Sequence, residues 1–276
     1  MKRRLPGMVT LITGASDGIG AALAEHLAAA GGRLVLNARG RERLEALAAR
    51  LPGDHLVIPG DVADPATAAA LVDGAVTRFG RLDSVVANAG YGLVRRVADT
   101  TAAEWQAILA TNLLGTTHLI STAVPVLRRQ AVVDGWRGQV MIVSSALARR
   151  SRPEAGAYSA TKAAQLSVAE ALRVELAEDR IAVTSVHPIA TATGFVAAAE
   201  AHGGRWARTR AEPVQPAALV AARMAAALVR PRAEVWPHAL SRLALGLGTL
   251  WPTVFDGYFR RRMTSNAACP DKDASA

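Results

Sequence analysis

The alternation of short apolar strands with longer alanine-rich helices is the feature that most constrains this chain. Six apolar and β-branched runs are typical of buried parallel strands: Val9–Thr13, Leu34–Asn37, His55–Ile58, Ser84–Ala87, Val140–Ser144 and Ala182–His187. Helical periodicity fills the intervals, over Ile19–Ala30, Arg41–Arg50, Pro65–Phe79, Thr101–Arg129 and Ala157–Ala177. The pattern predicts an α/β fold of the Rossmann-like type, a doubly wound parallel sheet with helices on both faces and ligands at the carboxyl ends of the strands.

The length and composition indicate one large domain. A chain of 276 residues that is 51% hydrophobic can bury a single extensive core. We predict one domain over residues 1–263, with Glu234-Val235-Trp236 as a seventh strand. Residues 190–216 read as irregular, and residues 264–276 as a disordered tail.

Charge and cysteine content limit the partners. The net charge of +9 indicates either an anionic partner or a general bias toward arginine. With 4% aromatic residues and no basic block interleaved with them, we expect no nucleic-acid partner. Cys269 is the only cysteine, so an intramolecular disulfide and a cysteine-based zinc site are excluded, and we expect no metal. No apolar segment follows the charged residues 1–7, so a cytoplasmic location is expected.

A glycine-rich turn joins the first strand to the first helix. Thr13–Gly20 has glycines spaced Gly-x3-Gly-x-Gly, which permit a tight turn and let a pyrophosphate approach backbone amides at a helix N-terminus. The alternative is a purely structural turn. We predict a dinucleotide-binding loop with contacts from Gly14, Ser16, Gly18, Ile19 and Gly20.

The end of the second strand bears on the cofactor. An acidic residue there would bind a ribose 2′-hydroxyl, but the chain has neutral Asn37 followed by Arg39. Arginine suits a 2′-phosphate, so NADP(H) is favoured over NAD(H); the alternative is that Arg39 is a solvated surface residue. Further cofactor contacts are expected after strands three and four, at Asp61, Val62, Asn88, Ala89 and Gly90.

A tyrosine and a lysine share one helical face. Tyr158 and Lys162 stand four residues apart, and Lys162 is one of only three lysines in a chain that otherwise uses arginine. A tyrosine needs about 4 kcal/mol of preferential phenolate stabilisation to act as a base near neutral pH, which an ammonium and a cationic nicotinamide ring would supply. Ser145 precedes Tyr158 by thirteen residues, and its hydroxyl can hydrogen-bond a substrate carbonyl. Asn112 lies in the long helix Thr101–Arg129, either as a link in a water chain to Lys162 or as a satisfied buried amide.

Taken together, these motifs resemble the short-chain dehydrogenase/reductase (SDR) family over about residues 8–236. The resemblance is to the single-domain type that has Tyr-x-x-x-Lys and a Thr-Gly-x-x-x-Gly-x-Gly cofactor loop. It implies that Tyr158 is the general acid/base and that Lys162 binds the nicotinamide ribose and lowers the tyrosine pKa. It further implies that Ser145 orients the carbonyl or alcohol and that Asn112 holds a relay water.

The resemblance also implies features outside the catalytic motif. Pro188 and Thr193 would contact the cofactor, and residues 190–212 would form the substrate loop. The helices Thr101–Arg129 and Ala157–Ala177 would form the interface of a homodimer or homotetramer. Three positions depart from the family pattern: Ala87 precedes Asn88 where many members have a second asparagine, Ile189 stands where glycine is usual, and Asp17 stands where serine is common.

Three functions are consistent with these residues. We expect an NADP(H)-dependent oxidoreductase that interconverts a carbonyl and a secondary alcohol on a lipophilic substrate. A 3-oxoacyl thioester reductase is an alternative, because Arg149, Arg150 and Arg152 would attract an anionic substrate. The non-enzymatic alternative is a sensor that binds NADP without turnover.

Residues 238–263 form an amphipathic extension. One helical stripe there is apolar and consists of Leu240, Leu243, Ala244, Leu247, Leu250 and Trp251. Basic residues 260–262 follow. Such a segment either packs over the pocket or at a subunit interface, or makes peripheral contact with a membrane through residues 238–262.

Overall fold

The computed structural model describes residues 2–201 and 213–267, with side-chain surroundings for residues 2–200 and 213–261. Within those ranges the strands are β1 (Val9–Thr13), β2 (Arg33–Asn37), β3 (His55–Val57), β4 (Ser84–Ala87), β5 (Gly138–Val143), β6 (Ile181–Val186), β7 (Thr191–Ala192), β8 (Gln215–Pro216) and β9 (Glu234–Val235). The helices are α1 (Gly18–Ala29), α2 (Arg41–Ala48), α3 (Pro65–Phe79), α4 (Ala102–Leu109), α5 (Gly115–Arg129), α6 (Gly156–Glu175), α7 (Phe195–Ala201), α8 (Ala217–Val229), α9 (Ala239–Leu250) and α10 (Pro252–Ala267).

Seven strands form one parallel sheet in the order β3-β2-β1-β4-β5-β6-β9. The order reverses between β1 and β4, which opens a crevice outside their carboxyl ends. The glycine loop follows β1, and Asn88-Ala89-Gly90 follows β4, so both motifs border this crevice. The predicted doubly wound fold, including the seventh strand, is confirmed.

Helices cover both faces of the sheet and bury two apolar layers. On one face, Leu23 and Leu27 of α1 pack with Met224 and Leu228 of α8. On the other face, α3, α5 and α6 contribute residues such as Leu71, Leu119 and Ala169. The four central strands, β1, β4, β5 and β6, are buried throughout, which explains why they read as continuous apolar runs.

The long helix predicted over Thr101–Arg129 contains a π-helical turn at Ala110–Leu114. This turn holds Asn112, and Gly115 follows it. A Cβ on Gly115 would lie 2.6 Å from Cγ2 of Val62, so the helix approaches the loop after β3 closely. Residues 102–129 are long and apolar enough to cross a membrane by length and composition. Because α5 packs its apolar face against the sheet, we regard it as a core helix.

The region predicted to be irregular, residues 190–216, carries short elements. β7 pairs in parallel with β8, and α7 lies between them. Residues 202–212 of the predicted substrate loop lie outside the described residues. The predicted disordered tail begins too early, because α10 continues to Ala267; residues 268–276 lie outside the described residues.

Candidate active site

The glycine loop has the backbone that its sequence predicts. Gly14 and Gly18 adopt positive φ angles of 63° and 58°, which side chains with a Cβ rarely adopt. A Cβ on Gly20 would lie 2.3 Å from the carbonyl oxygen of Gly14. Asn88 fixes the loop by donating from Nδ2 to the carbonyls of Thr13 (2.9 Å) and Gly14 (3.1 Å). This narrow cradle at the start of α1 fits a dinucleotide pyrophosphate.

Neither Asp17 nor Ile189, which both depart from the family pattern, distorts the crevice. Asp17 caps α1, where its carboxylate accepts from the amide of Gly18 at 2.6 Å. Ile189 does not have a positive φ angle, so its side chain causes no backbone strain. Pro188 is buried, and its carbonyl accepts from the amide of Ala146 at 2.9 Å. Thr193 packs against Gly18, where a Cβ on the glycine would lie 3.0 Å from Cγ2 of Thr193.

The ends of β2 and β3 place one exposed cation beside the crevice. Asn37 is fully buried and donates to the carbonyls of Ile58 and Gly60, so its role is structural. Arg39 is exposed. Burial raises the pKa of Tyr91, and the positive charge of Arg39 opposes that rise. Arg39 is therefore near Tyr91. Because Tyr91 directly follows Asn88-Ala89-Gly90, Arg39 lies on the same side of the crevice as this segment.

The residues predicted after β3 have separate roles. Asp61 is exposed, and its carboxylate accepts from the amide of Ala63 at 3.0 Å. Val62 is buried against Gly115. They therefore shape the loop that faces the crevice, Asp61 at its surface and Val62 beneath it.

The Asn112 side chain joins the loop after β4 to α6. Its Nδ2 donates to the Tyr91 carbonyl (3.0 Å) and to Thr161 Oγ1 (3.1 Å), and its Oδ1 accepts from the Tyr91 amide (3.0 Å). A Cβ on Gly90 would lie 3.0 Å from Oδ1 of Asn112 and 3.5 Å from Nζ of Lys162. The side chain is thus a buried amide whose oxygen and nitrogen are both hydrogen-bonded, which is one of the two interpretations that the sequence allowed. It fixes the loop beside Lys162.

Tyr158 and Ser145 lie next to each other. Both are buried, and their side chains are hydrogen-bonded to each other. Burial raises the pKa of Tyr158 to about 12, and the Ser145 hydroxyl opposes that rise. The protein environment alone thus raises the pKa of the phenol, whereas the resemblance implies a lowered one. The phenol is protonated at neutral pH, which is the form that donates a proton.

Lys162 lies beside the phenol. Its Nζ is 5.7 Å from the centroid of the Tyr158 ring and donates to the Val143 carbonyl (2.9 Å) and to Oε1 of Gln165 (2.9 Å). Burial lowers the pKa of Lys162 to about 7, because little water is left to solvate the ammonium. The Ser144 hydroxyl donates to the Lys162 carbonyl at 2.8 Å and so ties β5 to this part of α6.

The wall around Tyr158 is apolar. Leu93, Ile108 and Ala157 form a buried cluster with it. Phe195 of α7 packs edge-to-face on the Tyr158 ring, with ring centroids 5.5 Å apart. A substrate that reaches the Tyr158 hydroxyl would therefore lie against hydrocarbon and aromatic surface.

Arg149 and Arg150, two of the arginines between Ser145 and Tyr158, are paired with acidic residues. Arg149 pairs with Glu234 and, at 3.4 Å, with Glu170. Arg150 pairs with Asp256 of α10 and donates to the Pro252 carbonyl. The contacts of Arg150 anchor the C-terminal extension to the body, and the pairing of both arginines reduces the charge available to attract an anionic substrate.

Sequence reasoning missed two residues that support the site. His187 stacks on Trp236 with ring centroids 4.5 Å apart, and its Nδ1 lies 3.2 Å from the Ser145 carbonyl, so it fixes the backbone of Ser145. Gln165 contacts Lys162 directly. A polar residue three positions after Lys162, on the buried stripe of α6, was the available signal.

Comparison with known proteins agrees with this geometry. The family model described as short chain dehydrogenase matches residues 8–203. The 11-beta-hydroxysteroid dehydrogenase 1A of Arabidopsis thaliana is 39% identical over 191 residues, which cover 67% of this chain and 52% of the relative. An uncharacterized oxidoreductase of Staphylococcus aureus is 32% identical over 195 residues, covering 70% of this chain and 82% of the relative. The chain spans about half the length of the plant relative.

Solved structures share the fold. A short chain dehydrogenase/reductase from Burkholderia phymatum in complex with NAD has a TM-score of 0.77 at 24% identity, covering 89% of this chain and 94% of that chain. A 3-ketoacyl-(acyl-carrier-protein) reductase from Brucella melitensis complexed with NADH has a TM-score of 0.74 at 25% identity, covering 84% of this chain and 97% of that chain. On the match over residues 8–203 and the shared fold, the chain belongs to the short-chain dehydrogenase/reductase family of oxidoreductases.

Proposed function

We propose that the protein is an NADP(H)-dependent oxidoreductase that interconverts a carbonyl and a secondary alcohol on a lipophilic substrate. The observation that carries the proposal is the hydrogen-bonded pair of Tyr158 and Ser145, set in an apolar wall beside Lys162. A protonated phenol and a serine hydroxyl can both donate a hydrogen bond to the same carbonyl oxygen. The bound nicotinamide would supply the hydride in reduction or accept it in oxidation.

Each residue has a definite task in this proposal. Ser145 donates a hydrogen bond to the carbonyl oxygen and orients it toward Tyr158. Tyr158 transfers its phenolic proton to that oxygen, or takes it back in the reverse reaction. Leu93, Ile108 and Phe195 exclude water from the reacting centre. In its protonated form, Lys162 contributes its remaining donor to the cofactor ribose, because Val143 and Gln165 take up two of its three protons.

The proposal is tested by following NADPH oxidation against carbonyl compounds graded from small and polar to steroid-sized and long-chain. We expect kcat/KM to rise with apolar surface, because the wall around Tyr158 offers hydrocarbon contacts. Turnover confined to small polar carbonyls would contradict the lipophilic assignment.

NADP(H) preference is part of the proposal. Its support is Arg39, an exposed guanidinium at the carboxyl end of β2 where an acidic residue would bind a ribose hydroxyl. The two similar solved structures named above contain NAD and NADH. Cofactor choice in this chain therefore depends on Arg39 itself.

The two alternatives have less support. The thioester reductase has a similar solved structure in its favour, but Arg149 and Arg150 are paired with acidic residues. If acyl-carrier thioesters were reduced far faster than free carbonyls, that alternative would replace the proposal. The non-catalytic sensor would not need the buried Ser145–Tyr158 pair, and measurable NADPH turnover would exclude it.

We also propose a cytoplasmic homo-oligomer, a homodimer or homotetramer, with residues 102–129 and α6 at the subunit interface. Leu114 and Val174 support this, because they expose 47% and 79% of their surface on these helices. Light scattering coupled to size exclusion tests it. A monomer at micromolar concentration, or an oligomer that survives Val174→Glu unchanged, would contradict the proposed interface.

The C-terminal extension supports peripheral contact with an anionic membrane. The leucines of the predicted stripe are exposed rather than packed over the pocket: Leu240, Leu243 and Leu250 are 71%, 63% and 69% exposed. The chain's net charge of +9 favours an anionic surface.

Vesicle co-sedimentation at low salt tests the membrane contact. We expect binding to phosphatidylserine-containing vesicles, and loss of binding in Leu243→Glu/Leu250→Glu. Equal binding by wild type and variant, or no binding by the wild type, would contradict it. A change in oligomeric state in the same variant would instead assign the face to a contact between subunits.

A further inference from the structure

Gln165 connects two groups of the active site through one buried amide. It has no exposed surface and follows Lys162 by three residues on α6. Its Oε1 accepts from Nζ of Lys162 at 2.9 Å. Its Nε2 donates to the Asn112 backbone carbonyl at 2.6 Å and to Thr116 Oγ1 at 2.8 Å. The amide orientation follows from chemistry, since the reverse would direct an NH₂ group at an ammonium and an oxygen at a carbonyl.

This bridge occupies the path expected for a relay water. A carbonyl oxygen has two lone pairs. The Asn112 carbonyl accepts from Gln165 Nε2 and, at 2.9 Å, from the Thr116 hydroxyl, so both are used. A water on this carbonyl would have to displace one of these donors. An amide, unlike a water, does not pass a proton along a hydrogen-bonded chain.

We propose that Gln165 is a positioning residue that stands in for the relay water, fixing Lys162 against the Asn112 carbonyl and closing this route to protons. The activity part of this inference rests on the proposed function; the contact with Lys162 does not. Protons would then have to reach Tyr158 by a route that does not pass through Lys162 and the Asn112 carbonyl.

The groups around the ammonium are few. Tyr158 on α6 is the titratable neighbour, with its ring centroid 5.7 Å from Nζ. The Val143 carbonyl faces Nζ from β5, Gln165 faces it from α6, and Gly90 approaches it from the loop after β4. The charge state of Lys162 should therefore respond directly to the chemistry at position 165.

The lysine content allows a direct test that needs no turnover. With lysine selectively labelled with ¹⁵N, NMR would follow only Lys2, Lys162 and Lys272. We expect Gln165→Glu to raise the pKa of Lys162 by about one unit or more, because a carboxylate favours the ammonium, and Gln165→Leu to lower it. An unchanged Lys162 titration in both folded variants would overturn the proposal.

Activity then separates positioning from packing. Gln165→Ala leaves room for a water with three polar partners, Lys162 Nζ, the Asn112 carbonyl and Thr116 Oγ1, whereas Gln165→Leu fills the space with hydrocarbon. We expect kcat/KM to fall in the order wild type, Gln165→Ala, Gln165→Leu. A packing role predicts the reverse order for the two variants, because leucine better preserves the volume, and that order would overturn the proposal.

Gln139→Leu is the matched control. Gln139 is also a fully buried glutamine, but it bonds to Arg3 and Thr184 between strands, away from the crevice. We expect it to lower the melting temperature and leave the Lys162 titration unchanged. A Gln139→Leu variant that moved the Lys162 titration as far as the Gln165 variants would remove the support for a specific bridge.

Discussion

At the scale of single residues, burial determines the chemistry of the Tyr158–Lys162 pair. Burial raises the pKa of the phenol to about 12 and lowers that of the lysine to about 7. Both shifts favour the neutral forms, because little water solvates a charge there. The spacing predicted that the two side chains meet. The direction of the pKa shift of Tyr158 could not be predicted from this spacing, because its side chain is buried by Leu93, Ile108 and Phe195, which lie on other elements.

The lysine shift makes the unfolding free energy pH-dependent. In the folded state Lys162 loses its proton near pH 7, whereas in the unfolded chain it keeps the proton up to about pH 10.5. Between these values the unfolded state binds more protons, so stability rises with pH. We expect the difference in unfolding free energy, wild type minus Lys162→Met, to increase by about 2 kcal/mol from pH 7.5 to 9.5.

Urea unfolding at several pH values measures this difference, in which the other titrating groups cancel. A difference that is constant over this range, or that decreases with pH, would contradict a lowered lysine pKa.

In the proposed function, Arg39 distinguishes NADPH from NADH by one charge. We expect Arg39→Ser to lower kcat/KM for NADPH about 10–100-fold, because hydrogen bonds to a charged group contribute about 1.5–3 kcal/mol, and to leave NADH nearly unaffected. Arg41→Ser is the control, since Arg41 is exposed and pairs with Glu45 at 3.1 Å. Equal losses with both cofactors would show that Arg39 acts on the fold rather than on a 2′-phosphate.

At the scale of elements, local sequence located the strands and the first helices to within a residue or two. The π-helical turn around Asn112 escaped prediction, because 110–114 read as ordinary helix and the turn depends on the fit of Gly115 against Val62. A π-turn inside a helix often marks a functional position. Here it presents the Asn112 carbonyl to Gln165. Helix α8 was also missed, although Val220 and Met224 are completely buried.

A buried arginine ties the N-terminal arm to the central strands. Arg3 is 5% exposed and donates to Ser84 Oγ (3.1 Å), to Oε1 of Gln139 (3.0 Å) and to the Asp83 carbonyl (2.8 Å). We expect Arg3→Met to lower the unfolding free energy by about 2–3 kcal/mol, because it leaves buried polar groups unpaired.

Chemical denaturation measures this loss, with exposed Arg4→Met as the control. The kcat should not change at temperatures where both variants are folded, because Ser84 and Gln139 lie at the amino ends of β4 and β5, opposite the crevice. A kcat loss in folded Arg3→Met would contradict this separation of stability from activity.

At the scale of the whole molecule, the parallel sheet determines where chemistry occurs. Each motif comes from a different part of the chain, yet the carboxyl ends of β1, β4, β5 and β6 bring them to one crevice. Motif order was therefore enough to predict which residues the sheet brings together. The supporting contacts of Gln165, His187 and Phe195 depend on packing between elements distant in sequence, which a single chain does not reveal.

Substrate identity depends on the same distant packing. Sequence composition indicated a lipophilic partner only through the C-terminal extension. The structure adds the apolar wall around Tyr158 and pairs Arg149 and Arg150 with acidic residues. Together these features favour an uncharged lipophilic carbonyl.

The central claim is that the Tyr158 hydroxyl moves the proton, and removing that one oxygen tests it most directly. Tyr158→Phe should lower kcat about 10²–10⁴-fold while NADPH binding, followed by nicotinamide fluorescence, stays within a few-fold of wild type. Tyr258→Phe, on exposed α10, should leave both unchanged. A Tyr158→Phe enzyme that still turned over within a few-fold of wild type would contradict the account.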